Sequence, residues 1–163
     1  MRTLLIVYHS MTGGTRQMAQ AAAAGAARET DVRVRLLHAG DAGPADVLAA
    51  DGYLFATPEN LAAISGLMKD FFDRCYYAAL DQVEGRPYAA LVCAGSDGQN
   101  AVRQIERIAT GWRLKPVAPA LVVCTSAQTP EAILRAKQIA PPDLQRCDEL
   151  GAALAAGLVL GVF

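Results

Sequence analysis

Apolar residues gather in five short runs, residues 4–8, 32–37, 53–56, 88–94 and 121–125, and helical spacing fills the stretches between them. Four runs are nearly continuous in apolar residues, as strands covered on both faces should be. Val32-Arg33-Val34-Arg35-Leu36 instead alternates, which places the second strand at a sheet edge. Strands alternating with helices predict a doubly wound α/β domain, a parallel sheet with helices on both faces.

The helical stretches differ in character. Ile64, Leu67, Met68, Phe71, Phe72 and Cys75 recur at steps of three and four, with Lys69, Asp70, Asp73 and Arg74 elsewhere on the wheel, so this helix packs on the core. Val102, Ile105, Ile108 and Ala109 repeat the pattern, as do Leu144, Cys147, Leu150, Leu154 and Leu158 near the end of the chain. From Thr15 to about Arg28 nearly every residue is small, which lets that helix lie close to the sheet. Thr129 as N-cap, Pro130 at the first helical position and Glu131 in the first turn predict a short extra helix, which Pro141-Pro142 separate from the last one.

Composition adds little beyond a frame. At 163 residues, 53% hydrophobic, the chain suits a single domain spanning 1–163. A net charge of −1 without a basic stripe argues against nucleic acid as a partner. No apolar run approaches a membrane span, and a strand-like start without a leader segment makes a cytoplasmic location the expectation. Cys75, Cys93, Cys124 and Cys147 are widely spaced with no C-x-x-C pair, which reads as reduced structural thiols and no metal site.

In an open parallel sheet the ligand sits beyond the carboxyl ends of the strands, near the point where strand order reverses. Three loops qualify, those after runs one, three and four. The first, Ser10-Met11-Thr12-Gly13-Gly14-Thr15, joins a strand to a helix with glycines and hydroxyls. Such a turn cradles phosphate, because glycine lets amides point inward and the helix N-terminus adds partial positive charge. Taken alone it reads equally well as a plain helix start. The second loop is Thr57-Pro58-Glu59-Asn60-Leu61-Ala62-Ala63, and the third is Ala94-Gly95-Ser96-Asp97-Gly98-Gln99-Asn100.

Rival phosphate motifs fail. There is no G-x-x-x-x-G-K-[ST], and no G-x-G-x-x-G follows the first strand. Cys93 opens a glycine-bearing loop like that of cysteine phosphatases, but Gln99 stands where their arginine is required. A receiver domain would need acidic residues after its early strands, and these are absent.

Together the loops resemble those of flavodoxin-like flavoproteins, whose phosphate loop [Ser/Thr]-x-Thr-Gly-x-Thr is matched by Ser10, Thr12, Gly13 and Thr15. Thr57-Pro58-Glu59-Asn60, followed by Ser65-Gly66-Leu67-Met68-Lys69-Asp70-Phe71-Phe72-Asp73, is similar to the second flavin loop and following helix of NAD(P)H-dependent FMN reductases and quinone reductases. The resemblance covers essentially the whole chain and implies a flavodoxin-like five-stranded sheet of order 2-1-3-4-5. It implies FMN as cofactor, its phosphate held by hydroxyls and amides of Ser10, Met11, Thr12, Gly13, Gly14 and Thr15. The ring system would then lie between Pro58, Glu59, Asn60, Leu61 and Ala62 on one side and Gly95, Ser96, Asp97, Gly98 and Asn100 on the other. It further implies NAD(P)H as co-substrate, a small-molecule electron acceptor or a redox partner protein, and a homo-oligomer.

No side chain is expected to act as nucleophile or general acid. Arg16 reads as a solvent-facing residue, His9 and His38 as strand-end residues without a role, Asp97 as an Asx-turn residue and Glu59 as an exposed loop carboxylate. Electron-carrying flavodoxins are strongly acidic, cover the flavin with aromatic side chains and carry a glycine in the second loop that favours one-electron chemistry. This chain is near neutral, has no aromatic residue in 57–63 or 94–100 and no glycine in 57–63, which points to two-electron reductase chemistry. An electron carrier and a flavin-binding module without turnover are the alternatives. The apolar tail, residues 158–163, suits either a subunit interface or a fold back onto its own domain.

Overall fold

A computed structural model describes the whole chain, Met1–Phe163. Its strands are β1 (Arg2–Tyr8), β2 (Val32–His38), β3 (Gly52–Asn60), β4 (Ala63–Ile64), β5 (Pro87–Ala94), β6 (Lys115–Pro116) and β7 (Leu121–Cys124). Its helices are α1 (Gly14–Ala26), α2 (Pro44–Ala49), α3 (Gly66–Ala79), α4 (Gln99–Gly111), α5 (Pro130–Leu134) and α6 (Pro141–Leu160). The sheet runs β2-β1-β3-β5, and β6 and β7 both lie beside β5 as two pieces of one interrupted edge strand. Counted by apolar run, this is the expected order 2-1-3-4-5, all parallel, with the alternating strand β2 at the edge.

The continuous apolar runs are explained by two cores, one on each face. Leu5, Val7, Tyr53, Phe55, Tyr88 and Val92 point to one side, under α3 and α4. Leu4, Ile6, Leu54, Leu91 and Cys93 point to the other, under α1 and α6. The first core is aromatic, with Phe55 against Phe71, Phe72, Tyr88 and Trp112. The second is aliphatic, and between α1 and α6 the helices approach so closely that a Cβ on Gly25 would overlap the Asp148 carbonyl and one on Gly151 the Ala22 carbonyl.

Several boundaries differ from the sequence reading. Residues 57–60 continue β3 instead of forming a loop, and they pair with β4 as an antiparallel hairpin, Glu59 opposite Ile64 and Asn60 opposite Ala63. Ile64 is therefore a strand residue, and α3 begins behind it, where the Ser65 hydroxyl accepts from the Met68 amide. Pro141 and Pro142 open α6 rather than precede it, because the first helical turn has no use for the missing N–H groups. Thr129 caps α5 as predicted. The apolar tail divides: a Cβ on Gly157 would overlap the ring of Phe163, which folds back onto α6, while Leu160 and Val162 stay exposed. No helix is long and apolar enough to cross a membrane.

The tip of the β3–β4 hairpin holds Leu61 at φ 49° and Ala62 at φ 61°, two left-handed residues in succession with no glycine between the strands. A two-residue turn of this hand prefers Asn-Gly, and each ordinary residue placed there costs about 1–2 kcal/mol. A Leu61→Asn/Ala62→Gly protein should therefore be more stable by about 1 kcal/mol, part of the relief being offset by the freer unfolded chain. Thermal unfolding of the apoprotein checks this, with an expected rise of about 2–4 °C.

Candidate functional site

β1 delivers its last residues to the carboxyl edge of the sheet, where His9 still pairs with Ala56 before the chain turns at Ser10. The Ser10 hydroxyl accepts from the Gly13 amide at 3.1 Å, and Gly13, at φ 93°, swings the chain into α1. Beyond that turn the amides of Gly14, Thr15 and Arg16 have no acceptor within the chain. Thr15 Oγ1 is buried and has no hydrogen-bond partner. A first helical turn with free amides and an orphaned hydroxyl is a set of donors awaiting an anion.

The turn opens into a cleft of about 620 Å³, large enough for a nucleotide-sized ligand. Ser10, Met11, Thr12, Gly14 and Thr15 form one wall, and Pro58, Glu59, Asn60, Leu61 and Ala62 a second. Gly95 and Ser96 line a third with Cys93 and Ala94. The three loops chosen from the sequence thus meet around one space. Gly13, Asp97, Gly98 and Asn100 do not reach its wall. Gly13 and Gly98 are the left-handed turns that start α1 and α4, and the Asn100 amide donates to the Ala62 carbonyl, tying α4 to the hairpin tip.

Glu59 is not the free carboxylate expected. It is partly buried, and it accepts from the amides of Gly98 at 3.0 Å and Ala101 at 3.4 Å, capping α4 from the neighbouring strand. Gln104 holds the same hairpin by accepting from the Ile64 amide at 2.8 Å. The strained tip is thereby braced on three sides by side-chain bonds to or from α4. Leu61 and Ala62 adopt left-handed backbone without a glycine, so the lack of one in 57–63 does not exclude unusual backbone there.

A fourth wall was missed entirely. Thr125, Ala127, Ile133, Leu134 and Lys137 come from the segment between β7 and α6, which folds across the first loop. The amide of Lys137 donates to the Thr12 carbonyl at 2.8 Å. Gln17 donates to the carbonyls of Gly13 and Lys137 and accepts from the Ile139 amide, stitching segment and loop together. The signal lay in length, because 125–140 is long for a connection from strand to helix and carries two exposed apolar residues beside its lysine.

No hydrogen bond to the Asp97 carboxylate forms the expected Asx turn. Arg16 is exposed. His9 is buried against His38 with ring centroids 5.5 Å apart, and burial, then the neighbouring imidazole, pulls its pKa below the ordinary value. Burial pushes the Cys93 thiol up to about 11 despite the opposing pull of Lys137, so it is neutral at physiological pH and no nucleophile.

The family model for NADPH-dependent FMN reductase matches residues 44–129, just over half of the chain and inclusive of the hairpin and the third loop. A protein of Aquifex aeolicus named flavodoxin is 35% identical over 98 residues, 60% of this chain and 53% of that protein. An NAD(P)H dehydrogenase (quinone) of Acidithiobacillus ferrooxidans is 31% identical over 94 residues, 45% of this chain and 47% of that protein. The chain thus matches about half the length of these relatives. The structure of an archaeal flavodoxin superposes with a TM-score of 0.80 at 20% identity, covering 96% of this chain and 99% of that one, a likeness of fold. The sheet order and the archaeal structure agree in a flavodoxin-like fold, and by the matched segment this chain belongs to the NADPH-dependent FMN reductase family.

Proposed function

We propose that the cleft holds FMN and that the protein is an NAD(P)H-dependent oxidoreductase serving a quinone, a free flavin or another small acceptor. The observation that carries this reading is the absence of any aromatic ring from the cleft wall, combined with a rim of exposed Met11, Leu61, Ile133 and Leu134. A planar, largely apolar second molecule would find room there, and no tyrosine or tryptophan of the chain competes for the flavin face. When bound, FMN supplies the capacity to take a hydride from a nicotinamide and pass it on.

The chain's part is to bind and orient. The Thr12 and Thr15 hydroxyls and the free amides of Gly14, Thr15 and Arg16 suit the phosphate. Pro58 to Ala62 and Gly95 to Ser96 form opposing walls for the ring. Glu59, Asn100 and Gln104 hold the hairpin in place, so the geometry exists before the ligand arrives. Gly13, Asp97, Gly98 and Asn100 would contribute by shaping the loops rather than by touching the ligand.

One observation favours a second reading, that of an electron carrier: the Aquifex relative is named flavodoxin. The two separate on mixing the FMN-loaded protein anaerobically with NADH and with NADPH while following the flavin spectrum. The reductase is expected to bleach fully in one phase with at least one nicotinamide. Failure with both, together with titration by dithionite in two distinct one-electron steps, would establish the carrier. An apoprotein that takes up no FMN would sink both.

A further inference from the structure

Lys137 is the only cationic side chain on the cleft wall, and no carboxylate lies within ion-pair distance of it. The single carboxylate on that wall, Glu59, is committed to the amides of α4. The ammonium group is aimed rather than loose: Nζ donates to the carbonyls of Ile133 at 2.8 Å and Arg135 at 2.6 Å, and to Thr12 Oγ1 at 3.2 Å. Because the Thr12 hydroxyl accepts from Lys137, its own single proton is left free for a ligand. Across the same loop lie the orphaned Thr15 hydroxyl and the unpaired amides of the first turn of α1. An unpaired, partly buried cation held over unused anion donors has a chemical counterpart in a dianionic phosphate monoester.

We infer that Lys137, carried by the 125–140 segment and held beside Thr12 by the carbonyls of Ile133 and Arg135, acts on the phosphate of this site through its charge and makes the site select FMN over riboflavin. The inference rests on the reading that the cleft holds FMN, and it adds a full positive charge to a cradle that the family resemblance builds from hydroxyls and amides alone. Through its backbone and Gln17, the same lysine ties the segment to the loop, so phosphate, loop and segment form one unit.

The test is a pair of fluorescence titrations, FMN and riboflavin into the apoprotein, for wild type and Lys137→Met at low and high salt. In the variant FMN affinity should fall about tenfold to a hundredfold while riboflavin affinity stays within about twofold. Salt should narrow the wild-type preference for FMN more than that of the variant, because the variant keeps only the partial charge of the α1 N-terminus to screen. A variant that binds FMN as tightly as wild type, or that loses FMN and riboflavin alike, would overturn the inference, as would a wild-type preference indifferent to salt. Wild-type protein that binds riboflavin but shows no preference for FMN also counts against the lysine, whereas wild type that binds neither overturns the cofactor reading itself.

Discussion

A Thr12→Asp protein should fold as the wild type does and fail to retain FMN. Thr12 lies on the cleft wall, partly buried, and its hydroxyl is not part of either core. The new carboxylate would face a phosphate dianion at roughly 5 Å, a repulsion of about 7 kcal/mol at an effective dielectric of about 20, before screening and relaxation reduce it. It would also draw the Lys137 ammonium into an ion pair, since that group already contacts position 12. An affinity loss of about a thousandfold, or about 4 kcal/mol, is expected. Titration of the apoprotein with FMN measures it, and riboflavin, lacking the phosphate, should bind with little change. Undiminished FMN affinity would place the phosphate elsewhere in the molecule.

The largest effect on stability is expected from Gly151→Ala, the addition of one carbon. Gly151 and Gly25 are where α6 and α1 touch, each apposed to a carbonyl of the other helix, at Ala22 and Asp148. A methyl group on Gly151 occupies the space of the Ala22 carbonyl, and a helix backbone cannot step aside as a side chain can. The helices must part, which opens the packing between them, Ala19, Ala22, Cys147 and Leu154 included. A net loss of about 3 kcal/mol is expected even after the better helix propensity of alanine, and the melting temperature should drop by about 6–12 °C. Gly66→Ala is the control: a Cβ there meets nothing, so its melting temperature should hold or rise slightly. Equal behaviour of the two variants would show that the helices have slack that this packing denies.

The layers of the fold were legible because buried parallel strands leave a local mark. Leu4 to Val7 and Tyr53 to Ala56 are apolar at every position, which demands cover on both faces, and both faces are covered. The turn from β1 into α1 was legible for a similar reason, since such a turn needs its glycine and hydroxyls within six residues of one another. What escaped was set by partners distant in sequence. Pairing of Glu59 with Ile64 turned a supposed loop into a hairpin, and the Glu59 carboxylate found its role on a helix some forty residues later. Nothing near Leu61 or Ala62 announces a left-handed turn, because the bonds from Asn100 and to Gln104 that brace the hairpin come from another element.

By itself, then, the sequence determined the sheet, its edge, the helices on its two faces and the loop that starts α1, all of them consequences of hydrophobic periodicity and short-range backbone chemistry. Only the tertiary structure decided how the cleft is closed. It set Lys137 against Thr12 across 125 positions of chain, bound the Glu59 carboxylate to the amides of α4, and seated α1 on α6 through two glycines. These are contacts between surfaces that meet only after the sheet has formed, and spacing along the chain carries no record of them.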